Sequence, residues 1–474
     1  MSADLFINGA WVTGEAGILD NVDPGTGSIV GQVSLASAHQ VAEAIAAADA
    51  AFASWSRTLP SARGDIIKRA SQILSDRIDE AAATILLETG KTQADARGEI
   101  QRSIDTLRWN GEAAGRIQGR SFPGIAVGSR RSSTPAPLGV AALINAWNFP
   151  AVLATRKLGA ALAAGCTVVL KAAEYTPATA RLIVEIFAEA GLPEGVINLV
   201  FGDPAALSQQ LLSSPEVKIL SFTGSTHVGK LLAEQAAPTL TRHVLELGGH
   251  APVIVWDDAD VEHVIATTAG AKFGSAGQSC VAPSRYYVHE SLYSDFVEAF
   301  AKKAQSYVLG HGNEDGVTMG AVAHQGRVDA LVRLTEDAVA KGARLVTGGH
   351  QVKRDGFFFE PTILADVPQN ADIVTEEPFG PIAAVIPVGG LDEALELANA
   401  NPYSFTGYLF TDSLSVQDRV TAELNVSNIG INQLAPSLPD VPLGGMGNSG
   451  VGYEGGLEGI LAYTQLRLVS QTAN

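Results

Sequence analysis

The spacing of apolar residues divides the chain into regions of different character. Before about residue 120, alanine-rich stretches carry apolar residues at the three- and four-residue intervals of an amphipathic helix. This pattern predicts helices over 38–55, 61–88 and 92–118, and Gly90 and Gly124 interrupt it as turn residues do. The first part of the chain is therefore predicted to be helical.

From about residue 139 onward, short and nearly continuous apolar runs alternate with helical stretches. The predicted strands are GVAALINA, CTVVLK, GVINLV and VKILSF, and the predicted helices run from Pro150 to Ala164, from Pro177 to Ala190 and from Ser225 to Ala236. Apolar strands joined by helices of this length are typical of a parallel sheet covered on both faces. The pattern therefore predicts an α/β domain.

A second alternation, over about 251–431, predicts another α/β domain, with Gly248 and Gly249 as the hinge between the two. Its predicted strands are APVIVW, RYYVHE, GARLVTG, FFFEPTIL, AAVIPV, TGYLFT and SNIGIN. Two segments, SRRSSTPAPLG and LAYTQLRLVSQ, fit neither domain. The second of them alternates like a strand, and a partner subunit could cover its unpaired edge.

Length and charge narrow the classes of function. A chain of 474 residues is too long for one hydrophobic core, so two or three domains are expected. The formal net charge of −18 repels phosphate backbones and anionic lipids, which argues against binding to nucleic acid or to membranes. A small anionic ligand is still compatible with this charge, because a local basic pocket can lie in an acidic protein.

Cysteine usage and the first residues predict the compartment. Cys166 and Cys280 are the two cysteines and lie far apart, so neither a disulfide framework nor a metal site is expected, and a reducing compartment is. The opening residues, MSADLFINGAWV, lack the basic and apolar regions of a secretory signal. No stretch has the roughly 18 consecutive apolar residues of a membrane span. We therefore expect a soluble, cytoplasmic protein.

Two glycine motifs match known phosphate-binding patterns only in part. Residues 445–450 fit G-x-G-x-x-G, but the motif neither follows a predicted strand nor opens a long helix. Residues 224–230 nearly fit a P-loop, except that Leu231 stands where a serine or threonine would bind magnesium. This second segment is either a plain glycine turn or, because a helix begins there, a site for a pyrophosphate.

Cys280 is the better candidate nucleophile of the two cysteines. It lies in KFGSAGQSCVAPSR among glycines and serines, which predicts a turn, whereas Cys166 begins the apolar strand CTVVLK and is expected to be a small buried residue. Taken alone, Cys280 would more often be an inert thiol than a catalytic one.

Three further polar positions each allow a structural and a catalytic interpretation. Glu246, before two glycines, is either a surface acid at a strand end or a general base with a tuned pKa. Asn148 is either a helix N-cap or an amide donor to an oxyanion. Lys171 and Glu174 follow a buried strand, so they are either a solvated strand end or a binding site for a ribose.

Together these residues resemble the aldehyde dehydrogenase superfamily over nearly the whole chain. The resemblance rests on seven motifs in order, namely WNFP at 147–150, KxxE at 171–174, FTGS at 222–225, ELGG at 246–249, GQSC at 277–280, EEPFGP at 376–381 and PLGGMGNSG at 442–450. It implies an NAD-dependent enzyme that oxidises an aldehyde to a carboxylate. Because CoA-acylating members lack the glutamate at Glu246, its presence here implies a free carboxylate product.

The resemblance also implies residue roles and an assembly. Cys280 would form the thioester, Asn148 would hold the oxyanion and Glu246 would activate water. The implied cofactor contacts are Trp147, Lys171, Glu174, Gly224, Ser225, Glu377 and Phe379. The implied units are an NAD-binding Rossmann-type domain (1–122 and 139–247), a catalytic α/β domain (248–435) and a β oligomerisation arm (123–138 and 455–474) of a homodimer or homotetramer.

Within the superfamily, the stretches TRKLGAALAAGC, ELGGHAPVIV and EGG at 454–456 are most similar to dehydrogenases of succinate and 2-oxoglutarate semialdehyde. That similarity implies that Arg156, Arg285 and Ser437 bind the far carboxylate of a short semialdehyde, although either arginine could form a structural ion pair. The chain reads Cys-Val-Ala from Cys280, not the Cys-Val-Cys of the succinate type, and His250 is a feature of the 2-oxoglutarate type.

Other interpretations remain open at this point. The substrate could be an aromatic or aliphatic aldehyde, because the sequence does not show the shape of a pocket. A cysteine thioesterase or acyltransferase would use Cys280 without a nicotinamide site. A non-catalytic structural protein is disfavoured by the retention of both Cys280 and Glu246.

Overall fold

The computed structural model describes residues 2–434 and 437–472. Its helices are α1 (Ala38–Trp55), α2 (Pro60–Asp76), α3 (Ile78–Thr89), α4 (Gln93–Ala113), α5 (Pro150–Ala164), α6 (Pro177–Glu189), α7 (Pro204–Ser213), α8 (Thr226–Ala236), α9 (Val261–Phe273), α10 (Glu290–Gln305), α11 (Gln325–Ala340), α12 (Asp372–Thr375), α13 (Leu391–Asn399), α14 (Leu414–Glu423) and α15 (Gly456–Leu461). Short 3₁₀ turns cover Ala114–Arg116 and Gly274–Gly277.

The strands follow the same chain order. They are β1 (Leu5–Ile7), β2 (Ala10–Val12), β3 (Ile18–Val22), β4 (Ile29–Ser34), β5 (Arg120–Phe122), β6 (Ser129–Pro137), β7 (Val140–Ile144), β8 (Thr167–Lys171), β9 (Ile197–Val200), β10 (Val217–Thr223), β11 (Arg242–Glu246), β12 (Ala251–Val255), β13 (Pro283–His289), β14 (Arg344–Thr347), β15 (Thr362–Ala365), β16 (Ile382–Val388), β17 (Tyr403–Ser404), β18 (Thr406–Phe410), β19 (Asn428–Ile431), β20 (Met446–Gly447), β21 (Gly450–Val451) and β22 (Thr464–Thr472).

The first sheet has the order β2-β1-β9-β8-β7-β10-β11-β21, and its strands β7 to β11 are parallel. Within the parallel strands, the chain order begins at the central strand β7, continues outward through β8 and β9, and then crosses back to β10 on the other side of β7. In open parallel sheets, ligands bind at the carboxyl ends of the strands beside such a reversal. Residues that follow β7, β8 and β10 are therefore placed for ligand binding.

The second sheet has the order β14-β15-β16-β13-β12-β18-β19 and is parallel except at β14. The chain passes from the first sheet to the second between Glu246, the last residue of β11, and Ala251, the first residue of β12. Each sheet has its own cluster of buried apolar residues. This architecture confirms the predicted α/β fold class.

Helix α5 is buried on every side. All fifteen of its residues are buried, because it packs against helices α2, α4, α6 and α15 as well as the sheet. A helix surrounded by protein in this way needs apolar or small residues around its whole circumference, which its alanine-rich sequence supplies. The residues at its start are consequently held by the core of the molecule.

The two segments that fit neither domain pair with each other. Strand β22 runs antiparallel to β6, with Thr464 opposite Pro137 and Thr472 opposite Ser129, and β5 pairs with the other edge of β6. Strand β22 carries the exposed side chains of Leu466 and Leu468. A role for this three-stranded sheet in oligomerisation stays a prediction.

Several elements differ from the predicted ones. The predicted helix over 61–88 is two helices, because Arg77 has non-helical backbone angles between α2 and α3. The helical prediction for the first region missed β1 to β4, because β1 and β2 have only three residues each and the sequences of β3 and β4, ILDNV and IVGQVS, do not alternate apolar with polar residues. Only the end of FFFEPTIL forms a strand. The predicted boundary at 435, the N-terminal residue and the last two residues of the predicted arm lie outside the described residues.

Features of two other classes of protein are absent from the described residues. No helix in that part of the chain is long and apolar enough to cross a membrane. The same residues contain no group of three or more histidines, cysteines or acids placed to hold a metal ion.

Candidate active site

One cavity of about 390 Å³ collects the three residues predicted to be catalytic and two of the three predicted to bind substrate. It is lined by Asn148, Arg156, Glu246, Cys280 and Ser437, which come from five separate positions along the chain. The rest of the lining is mostly apolar and includes Phe149, Val152, Leu153, Tyr408, Leu438 and Leu443. The carboxyl ends of β7 and β11 bring Asn148 and Glu246 to this cavity.

Cys280 follows a tight turn that only particular residues permit. Ser275 and Ala276 adopt left-handed backbone angles, with φ of 48° and 50°, and a Cβ at Gly277 would lie 2.3 Å from the carbonyl oxygen of Gly380. A Cβ at Gly249 would likewise lie 2.1 Å from the carbonyl oxygen of Cys280. Close backbone contact on both sides, together with strained residues before it, fixes where the thiol lies.

The two cysteines differ in access to the cavity. Cys280 is half-buried and lines the cavity, whereas Cys166 is fully buried and its Sγ donates a hydrogen bond to the carbonyl oxygen of Tyr463 at 3.3 Å. Burial raises the pKa of Cys166 to about 11. Burial also raises the pKa of Cys280, and the carboxylates of Glu246 and Glu377 raise it further.

Asn148 is not the N-cap of α5. Phe149 occupies that position, with φ of −134° and no side-chain capping bond. The Asn148 side chain instead donates from Nδ2 to the carbonyl oxygen of Gln278 at 3.2 Å, two residues before Cys280. One N–H of the amide is therefore used to hold its orientation, and the second remains for a ligand.

Glu246 is a buried carboxyl group with few partners. It is 2% exposed, and its Oε1 accepts no hydrogen bond from any described residue. The nearest cationic group is the Arg156 guanidinium, with Nη1 4.0 Å from Oε1. Burial raises the pKa of Glu246 well above that of an ordinary carboxyl group, and the nearby Glu454 raises it further.

Lys157 and Glu454 form a buried ion pair behind Glu246, and the sequence did not single them out for chemistry. Lys157 Nζ contacts the Glu454 carboxylate and donates to Ser221 Oγ at 3.1 Å, and Ser221 Oγ donates to Glu454 Oε1 at 3.0 Å. Burial works to raise the pKa of Glu454, but Lys157 and Arg156 lower it overall. Glu454 therefore keeps its charge, which disfavours a second charge on Glu246.

Of the two arginines predicted to bind substrate, the structure places only Arg156 at the cavity. Its guanidinium donates from Nη2 to Ser437 Oγ, and its side chain lines the cavity. Arg285 is fully buried in β13 and donates to the carbonyl oxygens of His250 at 2.9 Å and Ala398 at 3.3 Å. The prediction that Arg285 binds substrate is wrong, because its guanidinium is bonded to these carbonyl oxygens and does not line the cavity.

Arg102, which the sequence did not single out, lies at the rim of the cavity. Its side chain is exposed, and its guanidinium carbon lies 5.7 Å from the centre of the Phe149 ring. It comes from helix α4, distant in sequence from every motif, so only the folded structure reveals it.

The predicted cofactor residues lie at strand ends of the first sheet and at the passage between the sheets. Lys171 Nζ lies 2.8 Å from Glu174 Oε2, and Glu174 Oε1 accepts from the Gly202 N–H at 3.2 Å. Ser225 is the exposed N-cap of α8, following Gly224, and accepts from the Val228 N–H. An exposed helix start and a carboxylate, each following a strand of the same parallel sheet, suit a dinucleotide, which needs a pyrophosphate site and a partner for its ribose.

Three more predicted cofactor residues surround the passage between the sheets. Glu377 Oε1 accepts from the Gly249 N–H at 3.1 Å, and burial raises the pKa of Glu377 to about 8. The Trp147 ring packs edge-on against the Phe379 ring at a centroid distance of 5.6 Å. A carboxyl group and an aromatic surface are what the ribose and the ring of a nicotinamide need, and Glu377 contacts Gly249, which packs against the Cys280 carbonyl oxygen.

Comparisons with known proteins agree on one family. A model described as "Aldehyde dehydrogenase family" matches residues 11–469. The 4-(hydroxymethyl)benzenesulfonate dehydrogenase TsaD1 of Comamonas testosteroni is 41% identical over 473 residues, 99% of this chain and 98% of its own length. Succinate-semialdehyde dehydrogenase [NADP(+)] GabD of Escherichia coli (strain K12) is 38% identical over 97% of this chain and 96% of its own. The crystal structure of succinate-semialdehyde dehydrogenase from Burkholderia pseudomallei superposes with a TM-score of 0.97 at 36% identity, covering 99% and 98%.

The electrostatics of Cys280 predict how its thiol reacts. Because burial and Glu246 both raise the pKa of Cys280, alkylation by iodoacetamide should be slow near neutral pH and still accelerate above pH 9. Replacing Glu246→Gln removes the negative charge that Glu246 carries above its raised pKa of about 8, so the variant should be alkylated severalfold faster than the wild type at pH 9 and above and at a similar rate at neutral pH. Mass spectrometry of the labelled peptide measures the rate, with Cys280→Ser as the control. Slower labelling of Glu246→Gln would show instead that Glu246 acts as a base toward the thiol.

Proposed function

This chain belongs to the aldehyde dehydrogenase family, and we propose that it oxidises an acid-bearing aldehyde to a carboxylate with NAD, through a thioester on Cys280. The observation that supports this most directly is the shared cavity, which presents a thiol, an amide donor, a carboxyl group and a guanidinium to one space. The first substrate class to test is a short semialdehyde with a terminal carboxylate, because Arg156 and Ser437 offer it a polar end.

Bond formation at Cys280 requires a thiolate and a stabilised oxygen. The Cys280 sulfur adds to the carbonyl carbon, and the carbonyl oxygen takes the negative charge. The second N–H of the Asn148 amide and the Cys280 backbone N–H would donate to that oxygen. Losing one such donor costs about 3–4 kcal/mol of transition-state stabilisation.

NAD would bind at the strand ends of the first sheet and beside the passage between the sheets. Lys171, Glu174, Gly224 and Ser225 would hold the adenosine ribose and the pyrophosphate, and Glu377, with Phe379 and Trp147 beside it, would hold the nicotinamide end. When bound, NAD supplies the acceptor for the hydride that the former aldehyde carbon loses.

Release of the acid is the step assigned to Glu246. A thioester on Cys280 remains after hydride loss, and its hydrolysis needs a water whose proton is taken as the oxygen attacks. Glu246 lies in the same cavity, and its raised pKa makes its carboxylate a stronger base than an ordinary glutamate. The tetrahedral intermediate then breaks at the carbon–sulfur bond and leaves a free carboxylate and the Cys280 thiolate.

The cavity also favours a second, more specific substrate class. Its walls are mostly apolar, and about 390 Å³ exceeds what a four-carbon chain fills. An aromatic aldehyde that carries a sulfonate or carboxylate would place its ring against Phe149 and Leu153 and its acid at an arginine. The relative named for 4-(hydroxymethyl)benzenesulfonate makes this class worth testing beside the semialdehydes.

Step order is tested by two variants. Cys280→Ser should abolish oxidation, because an alkoxide is far less available than a thiolate. Glu246→Gln should release one equivalent of reduced cofactor per site in a rapid-mixing experiment and then stall at the thioester, with turnover at least about a hundredfold lower. Normal turnover by Glu246→Gln would exclude it as the deacylation base.

Cofactor preference follows from Glu174. Its carboxylate can accept from the 2′-hydroxyl of NAD, whereas a 2′-phosphate would bring like charges together. We expect kcat/KM to be at least tenfold higher with NAD than with NADP, a preference that needs a free-energy difference of about 1.4 kcal/mol. Glu174→Ser should reduce this ratio of kcat/KM values. Dissociation constants of both cofactors provide the independent measurement. Equal binding of NAD and NADP by the wild type would contradict the assignment.

Substrate class is tested by comparing acidic with uncharged aldehydes of equal length. Arg156→Met should lower kcat/KM about ten- to two-hundredfold more for succinate semialdehyde than for butanal, because a charge-assisted hydrogen bond is lost. The uncharged aldehyde corrects for effects of Arg156 on Glu246 and Cys280. Arg102→Met, which removes the arginine at the rim of the cavity, is compared with Arg156→Met on the same two aldehydes. A wild type that prefers butanal, or a selective loss in neither variant, would contradict the acidic substrate.

A further inference from the structure

A fully buried ion pair lies directly beneath the segment that carries Asn148. Lys91 and Glu99, 3% and 0% exposed, come from the residues just before and within helix α4, and Lys91 Nζ lies 2.5 Å from Glu99 Oε2. Lys91 Nζ also donates to the backbone carbonyl oxygen of Asn148 at 2.6 Å. One ammonium group therefore joins α4 to the residue proposed as the oxyanion donor.

The other oxygen of Glu99 holds the start of α5. Glu99 Oε1 accepts from the Ala151 N–H at 2.9 Å and from the Val152 N–H at 3.3 Å. These are N–H groups that the first turn of a helix leaves without backbone partners. Lys91 and Glu99 thus hold the chain on both sides of the Phe149-Pro150 step, and Lys91 Nζ lies 3.8 Å from the centre of the Phe149 ring.

The hydrogen bonds continue around to the turn before the thiol and return to α4. The Asn148 amide donates to the carbonyl oxygen of Gln278, and Gln278 Nε2 donates to the carbonyl oxygen of Ser275 at 3.2 Å. The Ser275 N–H donates to Asp95 Oδ2 at 3.0 Å, and Asp95 lies one helical turn before Glu99. The Asn148 amide and the turn leading to Cys280 are therefore both linked by hydrogen bonds to the N-terminal end of helix α4.

Stability alone gives a weak reason for such a pair. Replacing a buried ion pair with apolar residues of similar size is often neutral or stabilising, because desolvation of two charges offsets their attraction. A hydrophobic pair would, however, leave the Asn148 carbonyl and the N–H groups of α5 without partners. Lys91 and Glu99 are therefore needed as polar side chains because they hold the backbone of Asn148 and of the first turn of α5 in place.

We propose that Lys91 and Glu99 are positioning residues that hold Asn148 so that its amide is aimed at the oxygen of the reacting aldehyde. This inference rests on the proposed function, since it assigns the pair a role through Asn148. Displacing an aligned group by about 1 Å can cost on the order of a hundredfold in rate. The pair therefore acts on the rate of the chemical step and not on cofactor affinity.

Glu99→Gln is the first test, because glutamine keeps an acceptor for α5 and removes the charge facing Lys91. We expect kcat to fall about ten- to a hundredfold, while the dissociation constant of NAD changes less than about twofold. Glu88→Gln is the matched control. Glu88 is also buried and accepts from the Ala178 and Thr179 N–H groups at the start of α6 at 2.7 and 2.8 Å. It is not among the described residues that line the cavity. Equal losses of kcat in both variants would mean a structural role only.

A double-mutant cycle with Asn148→Ala decides whether the pair acts through the amide. Residues that work as a unit give strongly non-additive effects, so Glu99→Gln should change kcat little once Asn148 is alanine. Additive losses would overturn the proposal. If Asn148→Ala alone leaves kcat unchanged, the oxyanion role in the proposed function fails instead, which separates the two outcomes.

A second variant covers the case in which an unpaired Lys91 prevents folding. Lys91→Met combined with Glu99→Gln removes both charges, so no buried charge is left without a partner. The double variant should fold, bind NAD as the wild type does and show a loss of kcat at least as large as Glu99→Gln. A double variant that folds with wild-type kcat would overturn the proposal.

Discussion

A carboxyl group that is removed from water and left without a full partner stays neutral to a higher pH, and the candidate active site depends on this effect. Glu246 and Glu377 both have raised pKa values because of burial, and Glu454 keeps its charge because Lys157 and Arg156 lower its pKa. These groups surround a thiol whose own pKa is raised by the same burial. The chemistry therefore depends on how the chain distributes a few charges in a space with little water.

The parallel sheets explain why these groups meet. Strand β7 ends just before Trp147 and Asn148, β8 ends at Lys171 and β11 ends at Glu246. Because parallel strands present their carboxyl ends at one edge of a sheet, residues separated by many positions in the chain come within reach of one ligand. The second sheet supplies Cys280 through the turn before β13, so the thiol and the strand ends face each other across the passage between the sheets.

Local pattern was sufficient for the elements of the parallel sheets. Helix α5 begins and ends where its proline, alanines and following glycine predict, and the apolar runs of the central strands lie within a few residues of β7, β8, β12 and β16. Short strands near the N-terminus and the break at Arg77 were missed, because three-residue strands have no period and a helical pattern continues across a kink. The sequence did not show that Arg285 lies away from the cavity. It also did not indicate roles for five charged residues, namely Lys91, Glu99, Lys157, Glu454 and Arg102, and the reason is the same for all of them. Whether a charged side chain faces a cavity, a carbonyl or another charge is decided by tertiary packing.

The contacts between the body of the protein and its last fifty residues bear on the order in which it folds. Lys157 meets Glu454 across 297 positions, Arg156 meets Ser437 across 281, and β11 at the edge of the first sheet pairs with β21. A ribosome that has released only the first 400 residues has produced both arginine and lysine but neither of their partners. Until residue 454 is present, Lys157 has no counterion, so burying it in helix α5 costs about 3–5 kcal/mol. A chain that stops before residues 437–454 therefore lacks the partners of Arg156 and Lys157, and its site is incomplete.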